Sequence, residues 1–268
     1  MQNLIILGSG RSGTSMVTGL FRDTEAYFGT RFLPTKRANP YGYYEDVEIN
    51  SLNNYIIKRL VNWDLIHRLP HQIRPKMYID DRSLWLHVPK QTKHFSLPSD
   101  IINKFAKHLQ QTPFCIKDPR FATTLSWWHE LLPENTRFIV VFRDPGRTVD
   151  SILRDAAETY RPPLLVTEKW AYRSWYRTYS NILNNLSLTG KWLFVNYDDV
   201  VNLRAIHSLE LFAQTKVNIE EINPKIGRAS SSDRSENLLQ QKCELVYQQL
   251  LQRANQDIEL GRDKKICI

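Results

Sequence analysis

Cysteine is scarce in this sequence: there are three, Cys115, Cys243 and Cys267, among 268 residues. The number is odd, the spacing is wide and no CxxC pair occurs, so neither a disulfide framework nor a zinc site is expected. No HExxH pattern is present either, and we expect no metal. Cys115 lies in an apolar run, which indicates a reduced packing residue.

Long apolar runs are also missing. The longest ones, Leu4–Leu7 and Phe138–Phe142, have the length of a strand, whereas a membrane helix needs about 20 residues. The first residues lead directly into a strand, without the charged leader and apolar segment of a secretory signal. From these absences we expect a cytoplasmic protein with no membrane span.

Acidic residues are outnumbered, since 28 Asp and Glu face 36 Lys and Arg, for a net charge of +8. This excess favours an anionic partner without choosing between nucleotide, nucleic acid, sulfated glycan and membrane surface. Aromatic and basic residues between Trp170 and Tyr179 could stack on nucleic acid. Their spacing instead favours a packed helix with a basic face, so we expect no nucleic-acid partner. Oligomeric state has no signature in the sequence.

Four short runs are apolar on both faces, as strands covered by helices on two sides should be. Helical patterns separate them, which predicts an α/β fold: a P-loop-like three-layer sandwich with a central, mostly parallel sheet. We expect a single domain over residues 1–268, with an irregular insertion at 64–98 and a loose tail at 257–268. The predicted strands are Leu4–Leu7, Phe114–Lys117, Phe138–Phe142 and Trp192–Val195. The predicted helices are Gly13–Phe21, Asp46–Leu60, Asp100–Gln110, Phe121–Leu132, Gly146–Ala157, Leu164–Leu186 and Glu236–Asn255.

The first strand is followed by a glycine-rich turn that predicts a phosphate site. Backbone N–H groups of such a turn converge on an anion, and the following helix adds its dipole. The spacing of Gly8 and Gly13 matches the nucleotide-binding loop GxxxxGK[ST], but Thr14 replaces the lysine and Arg11 is the sole cation. A triphosphate needs that lysine, so a donor with one 5′-phosphate and one transferable group fits better. The predicted contacts are Gly10, Arg11, Ser12, Gly13, Thr14 and Ser15.

Two further charged segments follow predicted strands, where an α/β sheet binds its ligands. Arg143 ends the third strand and Ser151 lies one to two turns into the next helix, so the two can clamp a second phosphate. In the segment Lys117-Asp118-Pro119-Arg120, either cation could neutralise charge on a bridging oxygen, and Asp118 could orient one of them.

Together, these three segments resemble the sulfotransferases that use 3′-phosphoadenosine 5′-phosphosulfate (PAPS), over residues 3–235. The likeness is greater to the bacterial branch and to the tyrosylprotein and carbohydrate enzymes than to the cytosolic steroid and phenol enzymes. It implies that residues 11–15 hold the 5′-phosphosulfate and that Arg143 and Ser151 hold the 3′-phosphate. The pair Gly227-Arg228 resembles part of a mobile segment that closes over the donor, which makes Arg228 a predicted donor contact. PAPS would be a cosubstrate that leaves as 3′-phosphoadenosine 5′-phosphate (PAP), with no bound cofactor.

Arg11 stands where many members have lysine, so its role should be electrostatic only. The segment 39–48 resembles one of the bacterial members and offers Glu45 as the base that takes a proton from an acceptor hydroxyl. Asp46 and Glu48 are reserves, although helix capping explains Asp46 better. The histidines offer further candidates without a distinguishing context. We therefore predict in-line sulfuryl transfer to a carbohydrate or small metabolite, with Lys117 and Arg11 stabilising the departing phosphate.

Two other classes of protein remain compatible with the sequence. A P-loop kinase or phosphotransferase would share the fold, but the missing lysine and the lack of an obvious magnesium-binding acid count against it. A non-catalytic nucleotide-binding or polyanion-binding module would suit the positive charge and would not need Glu45. Magnesium-dependent ATP turnover would identify the first, and binding without turnover the second.

Overall fold

The fold is seen in a computed structural model of the chain. It describes residues 1–34, 42–61, 81–89, 95–159, 166–187, 190–222 and 237–266. Arg228, a predicted donor contact, and most of the insertion predicted at 64–98 lie outside these residues.

Four parallel strands form one sheet in the order β2-β1-β3-β4. They are β1 (Leu4–Leu7), β2 (Cys115–Lys117), β3 (Arg137–Phe142) and β4 (Lys191–Asn196). In the register of the sheet, Ile6 of β1 faces Lys117 of β2 on one side and Ile139 of β3 on the other. All four predicted strands are therefore present, and the predicted parallel arrangement is confirmed.

Both faces of the sheet are covered, which explains why its strands are apolar throughout. In β1, Ile5 and Leu7 contribute to the larger of the two main apolar clusters, and Leu4 and Ile6 to the other. The predicted three-layer α/β architecture is confirmed.

The smaller cluster is covered by three helices: α1 (Thr14–Gly19), α7 (Tyr197–Val201) and α8 (Ile206–Ala213). In the part of the chain that the structure describes, the opposite face carries α2 (Val47–Leu60), α3 (Ser99–Leu109), α4 (Phe121–Trp128), α5 (Pro145–Thr159), α6 (Glu168–Asn184) and α9 (Leu238–Ile266). Short 3-10 turns span Asp81–Leu86, His129–Leu131, Asn185–Ser187 and Ile219–Glu221. Within the described residues, none of the helices has both the length and the apolar character to cross a membrane.

Side-chain caps fix two of the helix starts. Asp46 accepts hydrogen bonds from the N–H groups of Glu48 and Ile49, which is the capping role favoured from the sequence. Thr167 accepts from the N–H of Trp170, so α6 begins at Glu168, four residues after the predicted start. The helix predicted over Phe121–Leu132 ends at Trp128 and continues as a 3-10 turn.

The last helix is longer than predicted. Its apolar stripe, with Cys243, Val246, Leu250 and Ala254 buried, stops near the predicted end at Asn255. The stripe is then continued by a polar residue, because the Asp257 carboxylate accepts a hydrogen bond from the N–H of Phe194 at 2.8 Å. The prediction of a loose tail from residue 257 is therefore wrong for the described part, which is helical to Ile266.

Candidate functional site

The loop between β1 and α1 combines a tight backbone with small polar side chains. Arg11 and Gly13 adopt left-handed conformations, with φ of 69° and 95°. Alternating backbone handedness of this kind turns successive N–H groups toward one point and creates a concave site for an anion. Residues 10–15 thus have a backbone shape that is compatible with the predicted phosphate contacts.

Tyr179 of α6 holds this loop in position by hydrogen bonds. Its hydroxyl accepts a hydrogen bond from the N–H of Ser9 at 3.2 Å and lies 2.9 Å from both Ser12 Oγ and the Val141 carbonyl. Burial raises the pKa of this phenol, which stays protonated and able to donate. Tyr179 is a positioning residue that the sequence shows only as part of an aromatic helix face.

Arg143 lies at the carboxyl end of β3, as predicted, and is almost fully buried. Its guanidinium stacks on the ring of Tyr197 at 4.6 Å, and its carbonyl accepts a hydrogen bond from Trp175 Nε1. Burial lowers the pKa of Arg143, and the neighbouring Arg147 lowers it further. An anion beside the guanidinium would oppose both effects, which suits a phosphate contact.

Arg11 connects the two predicted phosphate anchors. Its Nε donates a hydrogen bond to Ser151 Oγ of α5 at 3.2 Å. The sequence assigns Arg11 to the first anion and Ser151 to the second, and the contact brings both residues into one continuous site.

Lys117 brings the second strand into the same site. Its Nζ lies 2.6 Å from Glu45 Oε1, 3.3 Å from Ser15 Oγ and 3.1 Å from the Tyr43 carbonyl. Three acceptors match the three protons of the ammonium group. Lys117 of β2 therefore lies between the loop and the predicted base.

A second layer of charges holds Glu45 and Lys117 in place. Arg120 Nη1 lies 3.1 Å from Asp118 Oδ1 and 3.4 Å from Glu45 Oε2, and its Nε donates to Asn54 at 2.6 Å. The four charged side chains of this cluster are each at most 6% exposed, and two positive charges balance two negative ones. Such a cluster is stable only while every charge keeps its partner. Arg120 thus supports the pair from behind, whereas Lys117 faces the loop.

Three asparagines of α2 complete the cluster, and the sequence analysis missed them. Asn50 donates to Glu45 Oε2, Asn53 to Asp118 Oδ2, and Asn54 accepts from Arg120. They sit at positions i, i+3 and i+4 of an otherwise apolar helix face, a spacing that places them on one side. This polar stripe within a helical pattern is the signal that could have revealed a buried network.

The structure also describes four more of the predicted residues. Thr14 is buried at the start of α1, and Gly10 lies against Trp85. Asp46 caps α2 as described, while Glu48 Oε2 lies 2.9 Å from His108 Nε2. Within the described residues, the hydrogen bonds of Asp46 and Glu48 go to groups other than Lys117.

The order of the strands explains how these groups meet. Because β2, β1, β3 and β4 are parallel neighbours, their carboxyl ends form one edge of the sheet. Along this edge lie the Glu45–Lys117 pair, the loop 8–15, Arg143 and Tyr197. The loop that is predicted to bind an anion is thus flanked by an acid–lysine pair on one side and a buried arginine on the other.

Comparison with protein families agrees with this arrangement. The profile of the sulfotransferase family matches residues 3–213, which include the loop, the Lys117 segment and the Arg143 segment. The chain belongs to the sulfotransferase family. The family supports sulfuryl transfer as the general activity of this enzyme, with a nucleotide donor and an acceptor.

A solved structure supports the fold of this sulfotransferase. The sulfotransferase domain of the olefin synthase of Synechococcus PCC 7002 is 16% identical, with a TM-score of 0.51. The alignment covers 91% of this chain and 94% of that domain. Among curated proteins, no significant match was found.

Two tyrosines, Tyr27 and Tyr43, give this sulfotransferase a testable response to alkaline pH. Burial, followed by the charge of Asp155, raises the pKa of Tyr43 to about 12. Burial and the charges of Asp46 and Glu48 raise the pKa of Tyr27 to about 12. The unfolded chain releases these protons near pH 10, its ordinary tyrosine value.

We expect the free energy of unfolding to fall between about pH 10 and pH 12, because the unfolded state then binds fewer protons than the folded state. Below the unfolded pKa, the contribution of both tyrosines is fully present. Urea unfolding at several pH values checks this, with a Tyr27→Phe, Tyr43→Phe double variant as the comparison. The variant should lose less stability per pH unit than the wild type. Equal slopes would contradict the prediction.

Proposed function

We propose that this sulfotransferase moves a sulfuryl group from PAPS to a hydroxyl of a carbohydrate or small metabolite. The observation that carries the proposal is the position of Lys117, which contacts both Ser15 of the loop and Glu45. A single residue thereby links the predicted place of the phosphosulfate to the predicted base.

The donor half of the proposal follows from the two anion anchors. Residues 10–15 would hold the 5′-phosphosulfate, and the buried Arg143 with Ser151 would hold the 3′-phosphate. Arg11 contacts Ser151, so binding at one anchor is coupled to the arrangement of the other. The chain lacks the loop lysine that reaches the outer phosphates of ATP, which favours a donor with one phosphate at its 5′ end.

The acceptor half depends on Glu45. This carboxylate would take the proton that the acceptor hydroxyl loses as its oxygen bonds to sulfur. Lys117 and Arg11 would stabilise the negative charge that collects on the phosphate when its bond to sulfur breaks. Because Lys117 already contacts the loop and the base, little reorganisation is needed between binding and transfer. The choice of a carbohydrate or small metabolite rests on family analogy.

We expect the purified protein to bind PAP with a dissociation constant of about 1 to 10 μM in the presence of EDTA, measured by isothermal titration calorimetry. An Arg143→Ala, Ser151→Ala double variant should lose the heat signal at the same concentrations, because each charge-assisted contact to a phosphate is a strong one. Lys216→Ala is the matched control, since it removes one positive charge from a side chain that is 89% exposed.

The control should bind PAP as the wild type does. Failure of the wild type to bind PAP, or binding only of ATP with magnesium, would overturn the proposed donor and favour a phosphotransferase.

A further inference from the structure

A short segment between α2 and α3 covers part of the loop. Within its described residues, Leu84, Leu86 and Val88 are buried, at 0%, 2% and 6% exposure. The residues between them, Trp85 and His87, are only partly buried. Along this segment, side chains that are buried in the core therefore alternate with side chains that are partly exposed.

Trp85 lies directly on the phosphate loop. A Cβ atom added to Gly10 would be 2.5 Å from Cζ3 of this indole, 2.7 Å from Cε3 and 2.8 Å from Cη2. Atoms of a real side chain do not approach so closely, so position 10 admits only glycine while the indole is there. The six-membered ring thus rests on the backbone of the loop.

Several contacts keep Trp85 in this position. Leu84 packs on Ile57 of α2, and the Val88 carbonyl accepts a hydrogen bond from Arg177 Nη1 at 2.9 Å. The His87 ring meets the edge of Trp170 at 4.8 Å. Anchors on both sides of the tryptophan belong to α2 and α6, so its ring is held by the same helices that support Glu45 and Tyr179.

We propose that Trp85 is the apolar wall of the acceptor site, which excludes water from the sulfuryl group and contacts the carbon skeleton of the acceptor. This inference rests on the proposed function. Arg11, Lys117 and Glu45, which lie in or beside the loop, are ionic and would attract water. A flat indole against Gly10 supplies the apolar surface that such a site needs to keep water out.

Water is the competing acceptor in this reaction. In the hydrolysis of PAPS, the oxygen of water bonds to sulfur and the bond from sulfur to the 5′-phosphate oxygen breaks. PAP and sulfate are released, and the protons of water pass to the solvent. Removal of the wall should accelerate this reaction without any acceptor being present, which allows a test before the acceptor is known.

The test compares Trp85→Ala and Trp85→Phe with the wild type. Sulfate release from PAPS is measured without acceptor, and the affinity for PAP is measured by calorimetry. We expect Trp85→Ala to release sulfate about tenfold faster than the wild type, because the sulfuryl group is less shielded from water. Its affinity for PAP should stay within about twofold of the wild type, because the substitution removes none of the charged or hydrogen-bonding groups that are predicted to hold the phosphates. Trp85→Phe keeps an aromatic wall and should behave as the wild type.

Trp192→Ala is the matched control, since this indole lies near the amino end of β4, at the opposite edge of the sheet, stacked on Phe138. Sulfate release that rises equally in the control would mean general loosening and would overturn the inference. So would an unchanged rate in Trp85→Ala with PAP binding intact. If the wild type itself fails to bind PAP, the proposed function fails and the inference fails with it.

Discussion

Gly13→Ala is expected to weaken PAP binding by at least about 100-fold, which corresponds to nearly 3 kcal/mol. Gly13 has a φ of 95° as the N-cap of α1, and a residue with a side chain pays about 1–2 kcal/mol for a left-handed conformation. An added Cβ would also lie 2.3 Å from Cδ2 of Tyr197, so that the ring must move. Because Arg143 stacks on the same ring, one methyl group disturbs both predicted phosphate anchors.

The measurement is calorimetric titration with PAP, together with a thermal melt that shows whether the variant is folded. Gly146→Ala is the matched control: Gly146 lies in the first turn of α5, and its added Cβ would meet Asp144 Oδ1 at 3.3 Å and no backbone within contact. We expect its affinity for PAP to stay within about threefold of the wild type, because Gly→Ala at a compatible position is neutral or stabilising.

A double variant separates the two causes of the loss. Gly13→Ala combined with Tyr197→Ser removes the clash but keeps the strained backbone. It should bind PAP more tightly than Gly13→Ala alone and less tightly than Tyr197→Ser alone, as a double-mutant cycle for neighbouring residues shows. Wild-type affinity in Gly13→Ala would mean that the loop does not hold the donor.

The fold was predictable because its signals are local. Each of the four strands carries apolar residues on both faces, and Leu4 to Leu7 of β1 do contribute to the core on both sides of the sheet. The residues that follow parallel strands share one edge of the sheet, so the sequence alone predicts that Lys117, Arg143 and the loop lie close together.

The partners within the site were not predictable in the same way, since they depend on contacts between distant segments. Glu45 and Lys117 are 72 residues apart, and no local pattern indicates that they form a pair at 2.6 Å. Likewise, the sequence offers two cations in the Lys117 segment without saying which one faces the loop. The buried asparagines of α2 decide the matter, because they bind Arg120 and Asp118 on the inner side.

The predicted length of a helix is wrong where polar contacts replace apolar ones on its buried face. The pattern of α9 fades after Ala254, yet Asp257 continues the buried face by binding the backbone of β4. Trp85 illustrates the same limit, since a tryptophan in a segment without periodicity gives no indication that its ring rests on Gly10. Acceptor identity, localisation in the cytoplasm and the bacterial branch stay predictions.

Glu45→Gln is expected to lower kcat by a factor of about 10² to 10⁴, the usual contribution of a general base. The amide is a poor replacement for structural reasons as well. Glu45 Oε1 faces Lys117 Nζ, while Oε2 faces Asn50 Nδ2 and Arg120 Nη1, so both oxygens meet donors. Whichever way the glutamine turns, its NH₂ group faces a donor, and a buried cation loses its partner at a cost of about 3–5 kcal/mol.

Kinetics must therefore separate the base from its structural effect. The assay compares an alcohol acceptor with a phenol that is already ionised at the assay pH and has no proton to lose. If Glu45 is the base, Glu45→Gln should lower kcat at least about 100-fold more for the alcohol than for the phenol, because the structural effect on Lys117 is common to both acceptors. Glu48→Gln, three residues further along the chain and half exposed, is the matched control and should leave kcat unchanged for both acceptors. An equal loss for alcohol and phenol would show that Glu45 acts by holding Lys117 and that another group takes the proton.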